Sequence, residues 1–246
     1  MGKSVKATIT DTQEAHDDFL DLDDRGLKEI PPELWNLTWL TRLNLSHNRL
    51  NVLTTEITRL SKLTSFTLYA NQISYLPQKI STLPNLKRLC VSNNSLEELP
   101  SGFGCCPALQ YLDVSCNFIK EISSNFGFLT TLKELHLADN QLKTLPKEIG
   151  NLHSLQTLVV RDNEIEQLPP EMGKLSQLKS LLAQGNRIKT LPKELANVPL
   201  SLDGSVLRLA ANPLHQTIVD KLKAGGVKEL WTFMKTLEYE AILPKQ

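Results

Sequence analysis

An α/β solenoid is the fold class this sequence predicts: a curved parallel β-sheet on a concave face, short helical or irregular convex segments, and a C-terminal helical cap. Three observations predict it. Seven asparagines, Asn48, Asn71, Asn94, Asn117, Asn140, Asn163 and Asn186, stand 23 residues apart with no insertion between them. A leucine lies eight residues before each one, at Leu40, Leu63, Leu86, Leu109, Leu132, Leu155 and Leu178. Between leucine and asparagine, apolar residues recur at alternate positions, as a strand with one buried face requires. A fixed period of this length marks a stack of identical supersecondary units, each burying its apolar face on its neighbours.

Residues 1–17 read as a flexible segment and 18–212 as the solenoid, with seven regular coils and atypical end coils. Counted from the asparagine, the unit reads L(−8)xxL(−5)xL(−3)xxNxL(+2)xxLP(+5,+6)xxI(+9)xxL(+12), as Asn140 to Leu152 illustrates. This is the leucine-rich repeat pattern. The first coil keeps the apolar spacing through Leu20, Leu22, Leu27 and Ile30, but Arg25 stands at its asparagine position. Each asparagine must turn inward where its strand ends, so that its amide satisfies backbone groups of its own and the adjacent coil. These seven residues are therefore structural. Proline after the +5 residue (Pro77, Pro100, Pro146, Pro169, Pro192) presets φ for the convex segment. At the far end the phase slips, with Asn212 lying 26 residues after Asn186. Residues 213–246 read as a helical cap in two parts split by Gly225-Gly226. In the second part Val227, Leu230, Trp231, Met234 and Leu237 form one apolar stripe.

Composition narrows the function. Lys plus Arg and Asp plus Glu each number 27, so the chain lacks the cationic surplus that a phosphate-binding face needs. Nucleic acid is not an expected partner. No apolar run reaches membrane-spanning length, and residues 1–16 contain no signal-peptide core. The four cysteines (Cys90, Cys105, Cys106, Cys116) all lie within repeats rather than in end caps, which points to a reducing, cytoplasmic compartment. Met1-Gly2 raises N-myristoylation, but Lys6 stands where that pattern wants Ser or Thr. A monomer is expected.

Catalysis, metals and cofactors find no support. The five histidines fall in different coils or at the ends, no CxxC occurs, and Gly102-Phe103-Gly104 lacks the Lys-Ser/Thr of a phosphate loop. The expected activity is protein binding through the variable strand positions −6, −4, −2 and −1. There Val159 and Leu182 fall side by side at positions expected to meet solvent, with His136 and Arg161 beside them and Tyr69 and Tyr111 nearer the N-terminus. Apolar groups with aromatic and Arg neighbours are the usual makings of an interface core. Asp21, Asp23 and Asp24 would form an acidic rim on the first coil.

The chain resembles the Ras suppressor protein family among intracellular Ras-group leucine-rich repeat proteins. The resemblance is carried by Asp24-Arg25-Gly26, Ser46-His47-Asn48, Pro107-Ala108-Leu109 after Phe103-Gly104, and Leu129-Thr130-Thr131-Leu132. Arg161-Asp162-Asn163, Gln184-Gly185-Asn186-Arg187, and Asn212-Pro213 followed by Gly226-Val227 and an aromatic helix add to it. It implies a non-catalytic adaptor in Ras signalling and cell adhesion, with a LIM-domain partner of the PINCH type, located in the cytoplasm and at cell–matrix adhesions. Other Ras-group members imply a small GTPase or a protein phosphatase as partner instead. A membrane-associated scaffold is the remaining alternative.

Overall fold

The computed structural model describes residues 3–243, so the Gly2 lipidation site lies outside the described residues. The chain divides into two compact units, 1–119 and 120–246.

The first unit opens with helix α1 (Val5–Ala15), where a flexible segment is expected from the sequence. Its residues are β-branched and polar, with weak helix propensity and little amphipathic signal, so tertiary contacts decide its conformation. Ser4 caps its start by accepting from Ala7 N–H at 3.2 Å. Ile9 is 3% exposed. Arg25, the residue at the vacant asparagine position, donates through Nη1 to the Lys3 carbonyl at 2.7 Å. The strands β1 (Phe19–Asp21), β2 (Arg42–Asn44), β3 (Ser65–Thr67), β4 (Arg88–Cys90) and β5 (Tyr111–Asp113) then pair in parallel, each in register with the next. The second unit repeats the plan with β6 (Glu134–His136), β7 (Thr157–Val159), β8 (Ser180–Leu182) and β9 (Val206–Arg208).

In the seven regular coils the −5 row is fully buried as the alternation predicts; Leu43, Phe66, Leu89, Leu112, Leu135, Leu158 and Leu181 are all 2% exposed or less. Every asparagine of the ladder is buried. Asn94 shows its work: Nδ2 donates to the carbonyls of Leu68, Val91 and Ser92, and Oδ1 accepts from Ile73 N–H at 2.9 Å. The residue before each ladder position takes a left-handed conformation, including His47, Ala70, Asn93, Cys116, Asp139, Asp162 and Ala211. That reversal aims the next side chain inward, and it is held although only glycine adopts it without cost.

Convex segments are single 3-10 turns, each of the five prolines preceding one. In the second unit these turns approach each other so closely that glycine is required for space. A Cβ at Gly127 would lie 2.7 Å from Glu148 Cβ, and one at Gly173 would lie 2.6 Å from the Glu194 carbonyl oxygen.

The slipped final coil still completes the ladder. Asn212 Oδ1 accepts from Ile188 N–H at 3.0 Å, and Nδ2 donates to the Ala183 carbonyl at 2.8 Å. Helix α2 (Gln216–Phe233) follows, interrupted at Gly225 and Gly226, where φ of +67° at Gly226 breaks the helix as the sequence predicts. Ile218, Leu230, Trp231 and Phe233 are buried, and Trp231 Nε1 donates to the Val198 carbonyl at 3.3 Å. The short helix α3 (Leu237–Ile242) brings Tyr239 to the last convex turn. Its hydroxyl donates to the Leu191 carbonyl at 2.6 Å and accepts from Leu191 N–H at 3.0 Å.

Candidate functional site: the outer sheet face

Side chains at −6 and −4 flank each strand's buried residue and so face away from the core. In the second unit the −4 row runs His136, Val159, Leu182 and Arg208, paired in that order by strand register. Leu182 and His136 are half-buried, whereas Val159, expected to meet solvent, is only 6% exposed. A short β-branched side chain in a central strand, one strand spacing from a bulkier neighbour on each side, is shaded by them. Val159 is thus a floor residue, and Leu182 is the accessible apolar group of the pair.

The −2 row borders this strip with Ala138, 2% exposed, then Arg161 and Gln184. Arg161 is held from two sides, with Nη2 3.0 Å from Asp139 Oδ2 and Nη1 2.5 Å from Asp162 Oδ2. The guanidinium is therefore positioned before any partner arrives, which lowers the entropy lost on binding. Gln184 Oε1 is buried yet has no hydrogen-bond partner among the described residues. Such an atom is costly unless something satisfies it. His136 Nε2 lies 3.5 Å from Glu134 Oε2.

Tyr69 and Tyr111 belong to the first unit. Tyr69 is 38% exposed, with its ring edge-on to His47 at 5.0 Å. Tyr111 lies under the Arg88 guanidinium at 3.5 Å, and its hydroxyl is 3.5 Å from Asp113 Oδ2. The coil of β4 separates the two tyrosines, so they do not form a single cluster. Much of the expected acidic rim is internally engaged: Asp21 accepts from Asn44 Nδ2 at 2.9 Å, and Asp23 Oδ1 lies 2.9 Å from His47 Nδ1. Asp18 accepts from Thr41 Oγ1 at 2.5 Å; that bond, aided by Arg42, holds its carboxyl below the usual carboxylate range.

Sequence reasoning missed two residues of the second-unit face. Arg208 sits beside Leu182 because β9 stays in register despite the phase slip; counting back four from Asn212 finds it. The unsatisfied end of Gln184 has no sequence signal, since it depends on what its neighbours fail to offer.

The cysteines divide by environment. Cys105 and Cys116 are exposed, while Cys106 fills the +12 core position. Burial pushes the Cys106 thiol up to about 12, and adjacent Cys105 adds to the shift. Because the thiolate is the reacting species, iodoacetamide at pH 8 is expected to alkylate Cys105 and Cys116 in the native chain and Cys106 only after denaturation. Peptide mass mapping before and after urea checks this; native labelling of Cys106 would show that its coil opens readily. No metal-holding group of His, Cys, Asp and Glu occurs among the described residues, and no helix there is long and apolar enough to cross a membrane.

Comparison with known proteins agrees with this geometry. Family models for the leucine-rich repeat region match residues 105–203, and other leucine-rich repeat models match 61–119 and 39–60. Among curated proteins none matches the chain. Of solved structures, a leucine-rich repeat protein of Leptospira interrogans is similar at 29% identity and TM-score 0.64, covering 86% of this chain and 65% of its own. The Arabidopsis receptor kinase HAESA, solved with the peptide hormone IDA and a co-receptor, is similar at 28% identity and TM-score 0.69, covering 80% of this chain and 34% of its own. An internalin of Listeria monocytogenes is similar at 25% identity and TM-score 0.68, covering 80% and 54%. This chain therefore spans less than two thirds of each of these relatives. Leucine-rich repeat folds generally serve as non-catalytic scaffolds that bind other proteins. This chain has the leucine-rich repeat fold.

Proposed function

We propose that this chain is a non-catalytic adaptor that binds a partner protein through the outer sheet face of its second unit. The observation that carries the reading is the strip of Leu182, Val159 and Ala138, bordered by an Arg161 held between Asp139 and Asp162. An accessible aliphatic side chain beside a rigid guanidinium is what a buried interface centre uses. The peptide hormone bound by HAESA supports ligand binding on this fold. Resemblance to the Ras suppressor family makes a LIM-domain protein of the PINCH type the partner of choice, in cytoplasmic Ras and adhesion signalling.

The test is titration calorimetry of the full chain with a PINCH-type LIM domain. Leu182→Asp is expected to weaken binding at least about tenfold while changing stability little, because the side chain already meets solvent. Val159 is unsuitable for this purpose, since an aspartate there would be an unpaired buried charge. Unchanged affinity in Leu182→Asp would exclude this face. Nucleotide-dependent binding to a small GTPase, with none to the LIM domain, would reassign the partner and keep the scaffold role.

A further inference from the structure

The open edge of β9 carries a second site in the same unit. In the preceding coils of this unit the −3 amide donates to the next strand; Leu137 donates to Val159, Val160 to Leu182, and Ala183 to Arg208. The −1 amides do the same, Asp139 to Arg161, Asp162 to Gln184 and Gly185 to Ala210. In the final coil the equivalent amides belong to Leu209 and Ala211, and neither has an acceptor among the described residues. Leu214 N–H is also without one; its counterparts Ile165 and Ile188 donate to the ladder asparagine of the following coil. Leu207 adds a further outward pair. Val206 N–H and the Arg208 carbonyl are engaged with β8's side, so strand alternation turns the Leu207 amide and carbonyl the other way.

The core is open along the same line. Leu207 occupies the −5 position, where the other coils have residues at 0–2% exposure, yet it is only half-buried. Beyond it lies a groove of about 360 Å3 between β9 and the first half of α2, lined by Leu207, Leu209, Leu214, Val219 and Leu222, with Lys223 at its rim. In the first unit α1 packs against β1. Among the described residues no element packs so closely on the β9 edge, α2 standing across the groove from it, and a bare edge of this kind is a template for another strand.

We propose that β9 is the docking edge for an extended peptide segment of a partner protein, added in parallel as one further strand. Unpaired amides demand an extended backbone, because only that conformation presents carbonyls at strand spacing. The residue beside Leu207 points into the apolar groove, and the residue beside Arg208 points to the sheet face. Arg208 has no acidic neighbour within bonding distance among the described residues. The occupant therefore alternates apolar with acidic residues.

A fluorescent capped peptide of alternating valine and glutamate, titrated against the full chain, is the test. Anisotropy is expected to show saturable binding, and amide hydrogen exchange is expected to slow at Leu207, Leu209 and Ala211. The same peptide N-methylated on alternate residues should bind at least about tenfold more weakly, since it cannot complete the ladder. Leu222→Asp should weaken binding similarly. No binding, equal binding of the N-methylated peptide, or exchange protection elsewhere on the sheet would each overturn the proposal. Edge amides already protected in the free chain, together with a dimer mass by sedimentation, would overturn it in favour of a second copy as occupant.

Discussion

Asn94→Ala is expected to lower the unfolding free energy by about 3 kcal/mol or more, read as an earlier midpoint in urea denaturation followed by circular dichroism. The side chain is 7% exposed and makes four hydrogen bonds to backbone groups. Alanine fills neither the space nor the bonds, leaving the Ile73 amide without its acceptor within a buried turn, while the Leu68 carbonyl keeps only the Asn71 amide. Each unsatisfied buried group costs about 1–3 kcal/mol, so even partial rescue by an entering water leaves a large deficit. The two bonds to Leu68 and Ile73 reach the preceding coil, so the damage spreads beyond one repeat. An unchanged midpoint would show that solvent replaces the amide at no cost, and the ladder would then not be what joins the coils.

Gly150→Ala is the second large effect, expected to cost about 2–3 kcal/mol by overpacking. Gly150 lies in the 3-10 turn Lys147–Asn151, and an added Cβ would collide with the Glu171 carbonyl oxygen and approach its carbon at 2.8 Å. The obstacle is backbone of the next turn, which cannot rotate aside as a side chain can. Gly102 supplies the control. A Cβ there meets Ser81 Oγ at 3.3 Å and nothing closer, so Gly102→Ala is expected to change the midpoint little. Equal behaviour of the two variants would show that the convex turns move apart freely.

Some of the molecule was legible because the period itself encodes it. Apolar residues at −5 and −3 can only be a strand facing inward, and an asparagine at every strand end can only be a backbone partner. The split of the C-terminal helix at Gly225-Gly226 was legible for a similar local reason. Exposure on the outer face was not. Val159 and Leu182 look alike in sequence, yet one is floor and the other surface, because flanking side chains set the outcome. Residues 1–17 read as flexible because α1 has little intrinsic preference for helix; Ile9 burial and the Arg25 bond to Lys3 fix it. The column Gly127, Gly150, Gly173 was also visible as a 23-residue spacing, but its meaning as closely approaching turns required distances.

By itself the sequence determined the coil: its length, its strand, its buried row and its amide ladder. These follow from interactions within a repeat and with its nearest neighbour, which a fixed spacing records completely. Only the tertiary structure decided the ends and the face, namely that α1 packs against β1, that β9 keeps an unpaired edge beside α2, and that Arg161 is held between Asp139 and Asp162. Those outcomes turn on which groups are left over once neighbouring coils have satisfied each other, and no repeat spacing carries that remainder.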